Sequence, residues 1–333
     1  KKKFKIANLD KISKISTPEI FKIQSKNYIF FKLNILNKKK LEKTIFKFRP
    51  DVIVNFAAES HVDRSIDNPD QFLINNFISA TNLFDVFKKF SKSKKNSKLI
   101  HISTDEVYGS IETGSFKETD PLNPQSPYAS SKANSDQIVL DFHSSLGLPA
   151  VITRSCNNYG PFQFPEKLIP LFITNLLDGA SIPIYGDGEN IREWCHVKDN
   201  CRAIDLILNN GETGEIYNIG TKNECTNLEI TQILLDLTGN DASMINWVED
   251  RLNHDRRYSV DSSKIESSLF LYSLAALESC SFKLTGLSFE VVPVFLNCFF
   301  FCSCFCFVAS FNCSSLFVCC SFNCSEAAAL FAS

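Results

Sequence analysis

Between residues 50 and 155 the apolar positions follow two alternating rhythms. "PDVIVNFAA" at 50–58, "SKLIHIST" at 97–104 and "LPAVITRS" at 148–155 are short runs rich in Val, Ile and Leu. Runs of that length with little polar alternation predict strands buried on both faces. Between them, "NPDQFLINNFISATNLFDVFKKF" at 68–90 and "SPYASSKANSDQIVLDFHSSLG" at 126–147 repeat apolar residues at helical spacing, and Gly147 supplies a stop for the second. The order β-α-β-α-β predicts an α/β fold, a doubly wound parallel sheet with helices on both faces. Ligands of such sheets lie beyond the carboxyl ends of the strands, so "FAAES", "STDE" and "TRSCNN" are expected to converge on one crevice.

The chain has 333 residues, enough for that domain and a smaller one, and its net charge of −2 gives no electrostatic footprint for nucleic acid. A small-molecule enzyme fits best. Up to about Glu266 the composition is mixed, and beyond it Phe, Cys and Ser dominate. Nine of the thirteen cysteines lie between Cys280 and Cys324; Cys156, Cys195, Cys201 and Cys225 are scattered without paired spacing, as reduced thiols of a cytoplasmic protein would be. The opening "KKKFKIANLD" has a basic start without the apolar stretch and cleavage site of a secretory signal. The late run "VVPVFLNCFFFCSCFCFVASF" nears the roughly 20 residues that span a bilayer, but it lacks clean flanks. Its cysteines have no accompanying His and no zinc-site spacing. Neither a membrane span nor a metal site is expected, and residues 269–333 read as out-of-frame or chimeric sequence.

The candidate chemistry sits at the predicted strand ends. Asp105 and Glu106 stand side by side where "SKLIHIST" stops. Adjacent acids there also suit a solvated turn or a helix cap. Tyr128 and Lys132 are four residues apart on the following helix, so they share a face, and the ammonium would favour the phenolate and make a general base for a hydroxyl. His101, inside a strand, reads as a packed core residue; His61 reads as a cap for the loop after its strand. The basic stretch 88–98 reads as a solvated face.

Together, "FAAESHVDRS", "ISTDEVYG", "SPYASSKA", "NNYGPFQFPEKLIP", "YGDGENIREW", "YNIGTKNECTNLE" and "HDRRY" occur in the order seen in dTDP-glucose 4,6-dehydratases. From about Phe4 to Glu266 the chain resembles that family, within the extended short-chain dehydrogenase/reductase superfamily. The resemblance implies a Rossmann-type domain over 1–155 that holds NAD, a smaller α/β domain made mainly of 156–268 that holds the nucleotide-sugar, and a homodimer paired through 72–90 and 127–146. It implies that Tyr128 deprotonates the hydroxyl on sugar carbon 4 and that Lys132 holds the nicotinamide ribose. Glu106 then takes the carbon 5 proton, Asp105 protonates the departing carbon 6 hydroxyl, and Thr104 bonds the sugar near carbon 4. NAD is implied to lie against Asp10, Lys11, Asn34, Ile35, Phe56, Ala57, Ala58, Glu59, Asn75 and Asn158, besides Tyr128 and Lys132. The substrate, dTDP-glucose, is implied to meet Ser60, Thr104, Asn157, Lys167, Leu168, Pro183, Tyr185, Arg192, Asn227, Arg251 and His254. Arg192 and Arg251 offer planar forks for a diphosphate, Lys167 a point charge, and Tyr185 a ring for a nucleobase. The strings "HVDRS" and "HDRRY" favour thymidine over uridine, and the two acids disfavour an epimerase, which removes no water. Rhamnose synthesis is the pathway the family is most often tied to.

Two departures stand out. The family begins with a strand and a glycine-rich loop whose amides cradle the NAD pyrophosphate, whereas "KIANLD" resembles its second strand. A central strand is therefore expected to be missing, with neighbouring edges unpaired and NAD bound weakly or an inert fragment as the outcome. Asn34 and Asn75 stand where the family usually has Asp and Thr. The second departure is the unrelated tail.

Overall fold

The structure is a computed structural model that describes residues 4–13, 16, 22–251, 254–268 and 315–319. Its main sheet has seven parallel strands: β1 Lys5–Asp10, β2 Tyr28–Lys32, β3 Val52–Asn55, β4 Lys98–Thr104, β5 Ala150–Ser155, β9 Ile216–Ile219 and β12 Ser315–Cys319. Their spatial order is β2-β1-β12-β3-β4-β5-β9. Successive residues of β3, β4 and β5 feed opposite cores. Val52, Val54, Ile100 and Val151 join one cluster with Val197, Ile204 and Ile207 of the helix Val197–Asn210. Ile53, Leu99, Ala150 and Ile152 join the other with Leu41, Leu83, Phe84, Phe87 and Val139 from the helices Lys38–Phe48, Ser79–Ser93 and Pro127–Leu146. Burial on both faces is why these strands read as unbroken apolar runs.

The expected strand and helix at 97–147 form as Lys98–Thr104 and Pro127–Leu146. Ser126 caps the helix by accepting from the Ala129 amide at 3.0 Å, Pro127 opens it, and Gly147 closes it at φ 65°. The helix expected over 68–90 is interrupted instead. It runs as Pro69–Phe72, a π-helical turn Leu73–Ile78, and Ser79–Ser93. The turn brings in Asn76, whose side chain accepts from the Glu59 amide at 2.6 Å and donates to the Glu59 carbonyl at 3.0 Å and to Ser131 Oγ at 2.9 Å. One buried amide thus ties the loop after β3 to the Tyr128 helix.

The smaller unit is built from two short sheets. β6 Asn157–Tyr159, β8 Ile191–His196 and β10 Glu224–Thr226 form one, in the order β10-β8-β6; β7 Ile182–Tyr185 and β11 Ile245–Val248 pair in the other. Its core gathers Ile169, Phe172, Ile182, Ile184, Trp194, Ile230, Leu234 and Leu235. Beyond residue 155 the chain returns to the main sheet at β9, which pairs with β5 from Ile152↔Ile216 to Ser155↔Ile219.

The missing central strand is corrected by the structure. β12, from the segment read as aberrant, lies between β1 and β3 and runs parallel to both, with Phe317 opposite Ala7 on one side and Ile53 on the other. A slot between two buried strands cannot be left empty without unpaired amides and carbonyls on both rims, and this segment fills it. The residues that follow it in sequence, "CSFNCSEAAA", contain no glycine. The membrane and metal readings of the tail fall on residues outside those described, apart from Cys319.

Ending the chain after Ser268 is expected to lower the melting midpoint by more than about 10 °C. Five residues paired with β1, four of them paired with β3 as well, contribute several hydrogen bonds of about 1 kcal/mol each. An unchanged thermal melt of that truncated protein would show that the slot needs no strand.

Candidate active site

The carboxyl ends of β3, β4 and β5 open on one cavity of about 220 Å³. Phe56, Ala58 and Ser60 line it after β3, Thr104, Asp105 and Glu106 after β4, and Asn157, Asn158 and Lys167 after β5, with Tyr128 and Lys132 from the long helix. All five residues expected to be catalytic therefore meet at one opening.

Thr104 is the hinge of the acid pair. It ends β4 and caps the 3-10 turn Asp105–Tyr108, accepting from the Glu106 amide at 3.3 Å and donating to Asp105 Oδ1 at 3.1 Å. Asp105 is only 3 % exposed, and its Oδ2 is a buried acceptor with no partner. Burial first, then the negative charges of Glu106 and Glu193, push its carboxyl well above the usual range. Burial also raises Glu106, but Lys167, Arg192 and Arg251 pull it back. The environment thus separates neighbouring acids, keeping Asp105 protonated more firmly than Glu106. Lys132 is buried and donates from Nζ to the Ile102 carbonyl at 2.6 Å, which anchors the helix face to β4. Tyr128 is 8 % exposed and its ring meets Phe72 edge-on at 6.4 Å.

A second, small pocket lies at the ends of β1 and β3, lined by Lys11, Asn34, Ile35, Ala57 and Asn75 together with Leu33 and Ser79. Asp10 ends β1; its Oδ1 accepts from the Ile12 amide at 2.6 Å and from Ser16 Oγ at 3.1 Å, and burial raises its pKa. Glu59 accepts from Lys11 at 3.2 Å and from Asn75 at 2.9 Å. The lining mixes apolar Leu33, Ile35 and Ala57 with polar Lys11, Asn34 and Asn75 near the strand-end carboxylate of Asp10, donor chemistry that suits the adenosine half of NAD, although the free volume is only about 10 Å³.

The expected substrate residues divide in two. Ser60, Thr104, Asn157 and Lys167 line the main cavity, and Lys167 Nζ donates to the Ser60 carbonyl at 2.8 Å. Leu168, Pro183, Tyr185, Arg192, Asn227, Arg251 and His254 are not in that lining; they belong to the smaller unit or its edge. The Arg251 guanidinium lies 4.4 Å over the Tyr185 ring and pairs with Asp63 at 2.7 Å, while His254 meets Tyr185 edge-on at 6.5 Å. One face of the ring expected for a nucleobase is therefore taken by arginine. Arg192 donates to the carbonyls of Ile191 at 2.8 Å and Asp255 at 2.9 Å and stacks 4.3 Å over Tyr258. His61 caps its helix as expected, accepting from the Arg64 amide at 3.4 Å, and His101 is buried.

The sequence reading missed Glu193. It is fully buried, contributes to the rise of Asp105, and accepts from the Lys222 and Thr221 amides. Its place beside Arg192 in "NIREW" was the available signal.

The model of the GDP-mannose 4,6 dehydratase family matches residues 1–270. The chain belongs to the nucleotide-sugar dehydratase family of the extended short-chain dehydrogenase/reductase superfamily. It is 52% identical over 221 residues to a dTDP-glucose 4,6-dehydratase of an Actinoplanes species, a match covering 66% of this chain and 68% of the relative. A Streptomyces antibioticus enzyme of the same name is 49% identical over 219 residues, 66% of this chain and 64% of its own. The chain thus spans about two thirds of the length of these relatives. Among solved structures, the dTDP-glucose 4,6-dehydratase of Streptomyces venezuelae with NAD bound superposes with a TM-score of 0.75 at 46% identity, covering 80% of this chain and 81% of that one. That of Bacillus anthracis, also with NAD, gives 0.73 at 43% identity, covering 81% and 82%. The fold is that of the NAD-dependent Rossmann enzymes, and the dehydratase is an enzyme of that cofactor class.

Because the buried Asp105 carboxyl has its pKa raised on folding, the neutral form is the favoured one in the folded state. The stability tied to it is present below the unfolded value of about 3.9 and is lost as pH rises through the folded value. Asp105→Asn is therefore expected to raise the melting midpoint near neutral pH, with the gain vanishing below about pH 4. Thermal melts at the two pH values check this; equal gains at both would refute the burial account.

Proposed function

We propose that this chain carries the catalytic centre of a dTDP-glucose 4,6-dehydratase, forming dTDP-4-keto-6-deoxyglucose and water. The carrying observation is the placement of a buried acid, Asp105, a half-buried neighbour, Glu106, and a Tyr-Lys pair around one cavity. NAD, which would be held by Asp10, Lys11, Asn34, Ile35, Ala57 and Asn75 at one end and by Lys132 with Phe56, Ala58 and Asn158 towards the other, would supply an acceptor for the hydride of carbon 4 and give that hydride back at carbon 6 once water has left. Tyr128 takes the proton of the carbon 4 hydroxyl, and Lys132 favours its phenolate. Oxidation there acidifies the carbon 5 proton, which Glu106 removes. Asp105 gives its proton to the carbon 6 hydroxyl, which leaves as water. Glu106 later returns its proton to carbon 5, and exchange with solvent resets Tyr128 and Asp105. Thr104 holds the acid pair and the sugar in one frame.

Substrate is gripped at two stations. Ser60, Asn157 and Lys167 face the sugar and diphosphate in the cavity. Leu168, Pro183, Tyr185, Arg192, Asn227, Arg251 and His254 serve the nucleotide, for which thymidine is the base favoured by the sequence strings. The product fits synthesis of 6-deoxy sugars, rhamnose among them. A second copy of the chain is the partner: Leu73, Ile74 and Ile78 are 42–47 % exposed on the helical stretch that pairs subunits in the family, an unusual cost for single large apolar side chains in water. Cys156, Cys195, Cys201 and Cys225, scattered without paired spacing, suit the reducing cytoplasm.

Glu106→Gln and Asp105→Asn are each expected to slow water loss from dTDP-glucose by ~10²–10⁴-fold, while Tyr128→Phe abolishes the oxidation that precedes it. Product assays on the full chain with added NAD decide this; undiminished dehydration in both acid variants would sink the reading. For the dimer, Ile74→Lys is expected to convert sedimentation from two copies to one. A species unchanged by that charge would place the interface elsewhere.

A further inference from the structure

Behind the acids lies a buried chain of polar contacts for which the steps above have no use. Tyr108 closes the short turn that carries Asp105 and Glu106, and it is 1 % exposed. Its hydroxyl accepts from Arg154 Nη1 at 2.8 Å and donates to Asn218 Oδ1 at 2.9 Å. The Arg154 guanidinium also lies 4.8 Å over the Tyr108 ring. From β5, Arg154 donates through Nε to Asp136 Oδ2 at 3.0 Å. Asp136 is fully buried one helical turn beyond Lys132, on the helix that begins with Tyr128. Three side chains therefore connect the turn of the acids, a central strand and the helix of the Tyr-Lys pair.

Stability alone is a poor reason for such a link. Taking an arginine and an aspartate out of water costs several kcal/mol per ion, and a well-packed apolar set of the same volume is often as stable or more so. What apolar packing does not supply is direction. The fork of Arg154 fixes the Tyr108 hydroxyl on one side and the Asp136 carboxylate on the other, so a shift of either element breaks a bond in a site where water cannot replace it.

We propose that Arg154, held by Asp136 and Tyr108, is a positioning residue that sets the acid pair relative to Tyr128 and Lys132, keeping elimination in step with oxidation of the sugar. The inference rests on the proposed reaction. A carboxylate displaced by about 1 Å loses on the order of 10² in rate, so the elimination should suffer first, because the acids ride on the short turn and the Tyr-Lys pair on a twenty-residue helix.

Tyr108→Phe in the full chain removes only the hydroxyl and leaves the ring beneath Arg154. The expected result is a fall in kcat of about tenfold or more with KM nearly unchanged. In a single turnover with NAD, the near-ultraviolet absorbance of reduced nicotinamide should rise at the parent rate and then persist, since the ketone forms but water leaves slowly. The cofactor-free melting midpoint should stay within a few degrees of the parent. Arg154→Lys, which keeps the charge beside Asp136 but loses the fork, should show the same split and serves if Tyr108→Phe does not fold. Proportional slowing of both half-reactions, or no change in either, overturns the positioning role. Glu106→Gln assayed in parallel separates the two ideas: if it too leaves water loss intact, the proposed reaction fails, whereas if it alone traps the reduced cofactor, only the link is wrong.

Discussion

A parallel strand covered on both faces has only its ends in which to place polar chemistry. β4 is the clearest case: Leu99 and Ile100 feed the two opposite cores, β3 and β5 occupy both of its edges, and the first residues past its carboxyl end are Asp105 and Glu106. The acids are held at low dielectric because the strand that carries them is part of the core, and Thr104 can hold them in a tight turn because its own position is set by pairing with Ser155. The depth that makes the strand stable is also what raises the pKa of Asp105 and favours its protonated form. Fold and proton inventory are the same constraint seen at two scales.

That constraint explains which parts could be read from the residues and which could not. β4 and the helix Pro127–Leu146 were legible because an apolar run bounded by turn residues, and a capped helix with Gly147 past its end, are local signals. The acids and the Tyr-Lys pair were legible because strand ends collect ligands. The π turn at Leu73–Ile78 was not: one residue too many per turn leaves the apolar spacing nearly intact, and what selects it is Asn76 reaching Glu59 and Ser131, which are distant in sequence. The Arg154 link is equally non-local, since its partners lie 18 and 46 residues away. In the smaller unit, strands of three to six residues joined across long separations carry little periodicity, which is why residues such as Arg192 were found by resemblance to a family rather than by pattern.

β12 is the opposite lesson. Its composition, in a stretch of Phe, Cys and Ser, argued against selected structure, yet "SLFVC" has the β-branched and aromatic character that a buried parallel strand accepts. A slot between two buried edges asks for little: backbone groups to complete both ladders and side chains that tolerate a dry face. Specificity for one strand is low at such a site, while the cost of leaving it vacant is high, so a segment joined by forty-six residues to the helix Ser263–Ser268 can serve. Loop closure over that length adds only slowly to the entropic cost, because the cost grows with the logarithm of loop length.

Completing the sheet and completing the cofactor site are different requirements. A strand needs backbone and apolar side chains, whereas close approach of amides to a diphosphate needs residues without a Cβ at positive φ. β12 meets the first, and the glycine-free sequence after it does not meet the second. The small pocket lined by Lys11, Asn34 and Ala57 lies at the ends of β1 and β3, the two strands that β12 joins. The acids at β4 depend on neither requirement: Thr104, the charges around Glu106 and the strand register hold them.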